Sequence, residues 1–295
     1  MNPTSSEFGH NFAEIFSEES RKERFYEVPL FRALIRALSS ASKTIQVEEL
    51  HGQRSQVLFS ARPPWTRRVG RCELADVCII WFRIGRLPEV RITFMQAKRS
   101  MRPHELCNSP ISPPDQAFDG DSTQFHLLTT RPKIVGRFEN FDPPAHVLSS
   151  ALLPSVGSYC VFHRNGAGLA QFFYASADVV TADAPPKPGQ IKIKTQFLGP
   201  IDSSRACVEQ KWACCPMIFG SAVYSGRIGT PIQSDPITLG WVKSFIERAA
   251  ANTLADNGQV SRSFLGGFEG IANNDRAEAP AKTILLIQGP TEQTD

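Results

Sequence analysis

The sequence lacks the long apolar run that is typical of an integral membrane protein. No stretch of its 295 residues approaches the roughly 20 apolar residues that a membrane-spanning helix requires. Residues 1–19 are polar and acidic, unlike a secretory signal or an Arg-rich transit peptide. We therefore expect a cytoplasmic protein with no membrane partner.

Three common catalytic motifs are absent as well. The chain contains no G-x-x-x-x-G-K-[ST] loop, no G-x-S-x-G elbow and no H-E-x-x-H pair among its six histidines. These absences argue against nucleotide hydrolysis by a P-loop, against a serine hydrolase of the elbow type and against a helical zinc-protease site.

The seven cysteines are an odd number and include no C-x-x-C pair. In a reducing compartment most of them are expected to be small buried hydrophobic residues. One alternative stays open, in which Cys207, Cys214 and Cys215 bind zinc together with His163 and stabilise an interaction module. Their spacing differs from that of the common zinc fingers.

The overall composition is that of a folded globular protein, with 41% hydrophobic and 21% charged residues. The 32 basic and 29 acidic residues leave a net charge of only +3. The field of the whole molecule is therefore weak, and any nucleic-acid-binding surface has to be local.

Apolar periodicity and turn residues divide the chain into a flexible lead-in (1–20), a core (21–150) and a C-terminal elaboration (151–295) that packs on the core and ends in a polar tail. Helices are predicted at about 23–40 and from Asp235-Pro236, with a short helix capped by Asp121. Strands are predicted at 44–50, 56–60, 77–82, 90–98, 159–163, 169–175, 190–197 and 283–287.

Two of these strands form a predicted hairpin that gathers polar groups. Residues 77–82 are apolar on both faces, and residues 90–98 alternate, so that Gln96 and Lys98 point the same way. A turn centred near Arg86 places Asp76 directly across from Gln96. Burying a carboxylate and an ammonium on so apolar a sheet costs several kcal/mol without a partner, which suggests a functional site.

The stretches E-L-A-D-V-C-I-I (73–80) and F-M-Q-A-K (94–98) resemble the catalytic hairpin of restriction-endonuclease-like nucleases, the PD-(D/E)XK superfamily. They are most similar to the Mrr-like variant, in which glutamine replaces the second acidic residue. The resemblance covers roughly residues 23–130. It implies an α/β fold with a mixed sheet flanked by helices, and an enzyme that cleaves DNA, with a role in bacterial defence against foreign DNA.

The same resemblance implies a role for each residue of the motif. Asp76 would bind Mg²⁺ or Mn²⁺, helped by the backbone carbonyl of Ala97 and by Glu27 on the preceding helix. Lys98 would hold or activate the attacking water, and Gln96 would contribute a neutral amide oxygen. The missing carboxylate at position 96 lowers the negative charge of the site by one and should weaken metal binding.

DNA would be the partner of such a site. The side chains expected to contact DNA lie on the hairpin, before it, and on the helix that opens at Asp121: Arg67, Arg68, Arg71, Arg99, Arg102 and Gln124.

Each element of the motif also has an ordinary structural explanation. Asp76 could accept a hydrogen bond from the backbone of a loop. Lys98 could lie at an exposed strand end, and Glu27 could be stabilised by the dipole at a helix N-terminus. Glu73 competes as a ligand, although strand parity places it on the opposite face. A non-catalytic nuclease-fold protein that binds nucleic acid, a partner protein or a second copy of itself is therefore the alternative, supported by the neutral residue at position 96.

Overall fold

The computed structural model describes residues 3–49, 55–59, 69–102, 116–138, 141–182, 189–196, 209–252, 259–269 and 281–290. The helices are α1 (Ser5–Arg21), α2 (Glu27–Ala41), α3 (Ser122–Thr130), α4 (Pro216–Tyr224), α5 (Pro236–Asn252) and α6 (Gln259–Gly267). None of these helices is both long and apolar enough to cross a bilayer.

The strands follow the alternating and apolar stretches of the sequence. They are β1 (Ile45–Glu49), β2 (Gln56–Phe59), β3 (Gly70–Glu73), β4 (Ala75–Arg83), β5 (Glu89–Arg99), β6 (Ala117–Asp121), β7 (Ile134–Gly136), β8 (Gly157–Arg164), β9 (Ala170–Ser176), β10 (Val180–Ala182), β11 (Gln190–Thr195), β12 (Trp212–Ala213), β13 (Thr230–Pro231) and β14 (Ala281–Gln288).

An eight-stranded mixed sheet forms the centre of the protein, in the order β1-β14-β4-β5-β8-β9-β12 with β13 added on β5. Strands β4 and β5 are antiparallel, whereas β14 runs parallel to β4 and β8 runs parallel to β5. Two three-stranded sheets, β10-β11-β6 and β3-β2-β7, accompany it. The protein is therefore α/β, with a mixed sheet flanked by helices, as the sequence predicted.

Helices cover both faces of the central hairpin, and this explains why its strands are apolar on both sides. Odd-numbered residues of β4, such as Val77 and Ile79, pack with residues of α1, α2 and α4. Even-numbered residues, such as Cys78 and Ile80, pack with residues of α5 and α6. The prediction of a strand buried on both faces at 77–82 is confirmed.

The connection from β5 to β8 is a crossover that contains α3, on the even-numbered face of the hairpin. Oδ1 of Asp121 accepts hydrogen bonds from the backbone N–H groups of Thr123 and Gln124, at 2.8 and 3.0 Å, which confirms the predicted cap. Leu127 and Leu128, on the inner side of α3, are buried. This crossover brings β6, which ends at Asp121 just before α3, into contact with β5.

The flexible lead-in predicted for residues 1–20 is wrong, because Ser5–Arg21 forms α1. Phe8, Phe12 and Phe16 are buried and pack against α4 and β9. The next helix begins at Glu27 rather than near residue 23. The C-terminal elaboration completes the central sheet, since β8, β9 and β14 all lie in it.

Replacing Phe12 by alanine tests the packing of α1. The ring is fully buried and contacts the rings of Phe16, Phe172 and Phe219. We expect the free energy of unfolding, measured by urea denaturation, to fall by about 3–5 kcal/mol. The exposed Asn11 on the same helix is the control, and Asn11→Ala should change it by less than about 0.5 kcal/mol. Equal stability of Phe12→Ala and wild type would mean that α1 does not contribute to the core.

Candidate functional site

The register of the central hairpin aligns the residues of the motif. Strands β4 and β5 pair from Val77 opposite Met95 to Arg83 opposite Glu89, so the turn is centred on position 86 as predicted. Continued by one residue, this register places Asp76 opposite Gln96. Both lie on the even-numbered face, and Lys98 follows on the same face of β5.

Asp76 is half-buried where the β4–β5 ladder ends. Its Oδ2 accepts a hydrogen bond from the backbone N–H of Ala97 at 3.0 Å. The N–H and C=O groups of a strand residue point to the same neighbouring strand, so the carbonyl of Ala97 is also directed toward β4. The carboxylate of Asp76 and the carbonyl of Ala97 are therefore two oxygen groups directed to the same end of the hairpin.

Gln96 is the most unusual residue of the site. It is fully buried, and its Oε1 has no hydrogen-bond partner. Its Nε2 lies 3.5 Å from the backbone oxygen of Glu73, at the limit of a hydrogen bond. Leaving a buried carbonyl oxygen unsatisfied costs about 1–3 kcal/mol. An acceptor kept at that cost indicates a position reserved for a donor or a cation.

Lys98 is half-buried, and no carboxylate among the described residues forms an ion pair with it. Its charge acts on Cys72 of β3. The pKa of the Cys72 thiol is raised to about 12, mainly by burial and to a smaller extent by the charges of Asp121 and Glu73, while the charge of Lys98 lowers it. Cys72 is therefore a neutral thiol near neutral pH, and the charges of the other three residues lie close to it.

Tyr159 and Asp121 join this region, and sequence reasoning assigned neither of them to a site. Tyr159 on β8 is the parallel partner of Gln96 on β5, so both side chains point to the α3 face. Tyr159 is fully buried and its hydroxyl has no partner. Burial, followed by the charges of Cys72 and Asp121, raises its pKa far above the ordinary value. Two sequence signals point to these residues: the alternation of β8 for Tyr159 and the helix cap for Asp121.

Glu27 is not brought to the face of Gln96. It begins α2, which packs on the odd-numbered face of the hairpin. Burial raises the pKa of Cys160 well above its usual range, with a smaller contribution from the Glu27 charge. Cys160 packs in the α1–α2–α4 layer, so Glu27 lies on that side of the sheet. Its role as a metal ligand stays a prediction.

The basic residues are dispersed. Arg99 donates to the backbone oxygen of Phe25 at 2.8 Å and lies over the ring of Tyr26 at 5.2 Å, on the α2 side. Arg71 and Arg102 are exposed, and Gln124 is half-buried in the first turn of α3. Arg67 and Arg68 fall outside the described residues.

The zinc site considered for the late cysteines is not assembled by the described residues. Cys214 is disulfide-bonded, which removes its thiolate as a ligand and differs from the expected reduced cysteine. His163 is buried, with Nδ1 3.2 Å from the backbone oxygen of Arg164. Cys207 lies outside the described residues. Within the described ranges, no group of three or more His, Cys, Asp or Glu side chains is placed to hold a metal.

The donor atoms at the end of the hairpin suit a hard cation. They are the carboxylate of Asp76, the amide oxygen of Gln96 and the backbone carbonyl of Ala97. Magnesium and manganese prefer such oxygen ligands, and magnesium keeps several waters, so few protein ligands suffice. The unsatisfied Oε1 of Gln96 is the observation that fits a bound cation.

The chain has no significant match among protein-family models, curated proteins or solved structures. A function must therefore be argued from the geometry of the site itself.

Replacing Gln96 by methionine tests whether its buried amide is kept for function. The substitution removes an unsatisfied acceptor at similar volume, so we expect the free energy of unfolding, measured by urea denaturation, to rise by about 1 kcal/mol. Thr93 on the same strand is the matched control, because its buried hydroxyl donates to Ser155 O at 2.7 Å. Thr93→Val should lower stability by about 1 kcal/mol. A clear loss of stability in Gln96→Met would show that the amide is a structural requirement.

Proposed function

We propose that this protein is a metal-dependent nuclease that cleaves DNA phosphodiester bonds. The observation that carries the proposal is the alignment of Asp76, Gln96 and Lys98 on one face of the central hairpin, with the buried Oε1 of Gln96 unsatisfied. This combination of a carboxylate, an amide and an amine is what the resemblance to the PD-(D/E)XK superfamily implied.

The surroundings of the hairpin support a restriction-endonuclease-like fold as the finer assignment. The resemblance places a helix before the hairpin and another after its second strand. Helix α2 precedes β4, and α3 lies in the crossover between β5 and β8. The proposal extends to DNA as the substrate, because Lys98 lies near the end of β5 and the exposed Arg102 follows that strand, so both supply positive charge there.

Each residue of the site would have a distinct task. Asp76 and Gln96 would hold Mg²⁺ or Mn²⁺ through oxygen atoms, with the backbone carbonyl of Ala97 beside them. When bound, the cation supplies the positive charge that stabilises the transition state of phosphodiester cleavage. The ammonium of Lys98, which has no ion-pair partner among the described residues, orients the attacking water and offsets the phosphate charge.

A second candidate is a nuclease-fold protein that binds nucleic acid or a partner without cutting. Two observations favour it. Position 96 carries a neutral side chain, and Oδ2 of Asp76 already accepts the N–H of Ala97. Binding to DNA without cleavage would distinguish this candidate from the first.

Incubation of the purified protein with linear and supercoiled DNA in Mg²⁺ or Mn²⁺ tests the proposal. We expect cleavage by wild type, and a loss of roughly 100-fold or more in Asp76→Asn and Lys98→Ala, because these groups are required in the transition state. Asp119→Asn and Arg86→Ala are the matched controls, since both residues are exposed and Arg86 lies at the opposite end of the same hairpin. Both controls should cut like wild type.

The same experiment has two contradicting outcomes. Cleavage by Asp76→Asn and Lys98→Ala at the wild-type rate would reject the site. Tight DNA binding by wild type with no cleavage in either metal would favour the second candidate.

A further inference from the structure

Five residues lie in the region next to Asp76 and are called the polar ring: Cys72, Glu73, Gln96, Asp121 and Tyr159. Gln96 and Tyr159 are partners in the parallel ladder, and Nε2 of Gln96 approaches the backbone oxygen of Glu73. Burial raises the pKa of Cys72 and of Tyr159, and the charge of Asp121 raises both further. Strand β6, which ends at Asp121, also contacts β5. The polar ring therefore connects β3, β5 and β8 to the start of α3.

Two fully buried atoms of the polar ring lack partners. These are Oε1 of Gln96, which accepts hydrogen bonds, and the hydroxyl of Tyr159, which donates and accepts them. Both side chains point to the α3 face, where the ring of Phe118 on β6 lies 5.5 Å from that of Tyr159. Two buried polar atoms that lack partners on the same face of neighbouring strands are suited to bind a ligand and its water shell.

Asp121 supplies the charge in the polar ring. Its Oδ1 accepts the two N–H groups that cap α3, while no described group donates a hydrogen bond to Oδ2. Oδ2 lies beside Gly189, where an added Cβ would be 4.0 Å from it, an ordinary van der Waals distance. One oxygen of the carboxylate is thus anchored by α3, and the other is not used by the cap.

We propose that Asp121 supplies the carboxylate that the motif lacks at position 96. A divalent cation would be held between Asp76 on the hairpin and Asp121 on α3, with Oε1 of Gln96 directed at it and the Tyr159 hydroxyl donating to its water shell. This inference rests on the proposed function and names one more residue of the same site.

Asp121 fits this task better than the other two carboxylates. Glu27 lies on the opposite face of the sheet, beside Cys160. The hydrogen bond between Glu73 and Gln96 uses the backbone oxygen of Glu73, at 3.5 Å.

Calorimetric titration of the full chain with Mn²⁺, without DNA, tests the inference by affinity alone. Asp121→Asn removes the charge but keeps an excellent N-cap, so α3 should stay intact. We expect its Mn²⁺ affinity to fall roughly tenfold or more. Asp119→Asn is the control, because Asp119 lies two residues earlier on β6 and pairs with Lys192 at 2.7 Å. The Mn²⁺ affinity of Asp119→Asn should lie within twofold of the wild-type affinity, which is roughly the assay error.

A rescue separates a ligand role from a structural one. The double variant Gln96→Glu with Asp121→Asn returns one negative charge to the site, and its Mn²⁺ affinity should recover most of the loss. Asp121→Ser, which also caps a helix, gives a second charge-free variant if Asp121→Asn unfolds. Thermal melting verifies that each variant is folded.

The possible failures are distinguishable. Loss of Mn²⁺ binding in Asp76→Asn, with wild-type affinity in Asp121→Asn, would overturn the role of Asp121 and leave the proposed function standing. A fall in Asp121→Asn that Gln96→Glu does not restore would also overturn it, since the effect would then be structural. Absence of Mn²⁺ binding by wild type at millimolar concentration would overturn both proposals.

Discussion

The antiparallel ladder between β4 and β5 holds Asp76, Gln96 and Lys98 in position. Both strands are apolar on both faces, and each face packs against its own layer of helices. A slip by one residue would exchange the two sets of side chains between layers of different shape, so the register is strongly specified. Asp76 therefore stays opposite Gln96 without any direct bond between the two side chains.

This rigidity makes it possible to keep an unsatisfied amide in the core. Thr93 and Gln96 lie on the same strand and are both fully buried, yet the hydroxyl of Thr93 has partners and Oε1 of Gln96 has none. The surrounding apolar contacts stabilise the fold by more than the amide costs. The two residues show that burial as such does not prevent pairing on this strand.

The hairpin, its register and the cap of α3 were predictable because they depend on local patterns. Alternation fixes which side chains share a face, and Asp121 caps within three residues of itself. The position of β14 between β1 and β4 was not predictable, because it depends on pairing between segments about 200 residues apart. In α1 the four-residue spacing of Phe8, Phe12 and Phe16 was present but was outweighed by the polar residues between them.

The position of Asp121 near Cys72 and Tyr159 also arises from tertiary structure, and it bears on how strongly a cation would bind. A carboxylate at a helix N-terminus is already partly neutralised by the helix dipole and by two N–H donors. It is therefore a weaker anionic ligand than a carboxylate at position 96 of the strand would be. With Lys98 near the same region, the site carries little net negative charge. On the proposed arrangement, the cation would bind weakly when alone and more firmly once a phosphate adds its own charge, so metal binding and substrate binding would depend on each other.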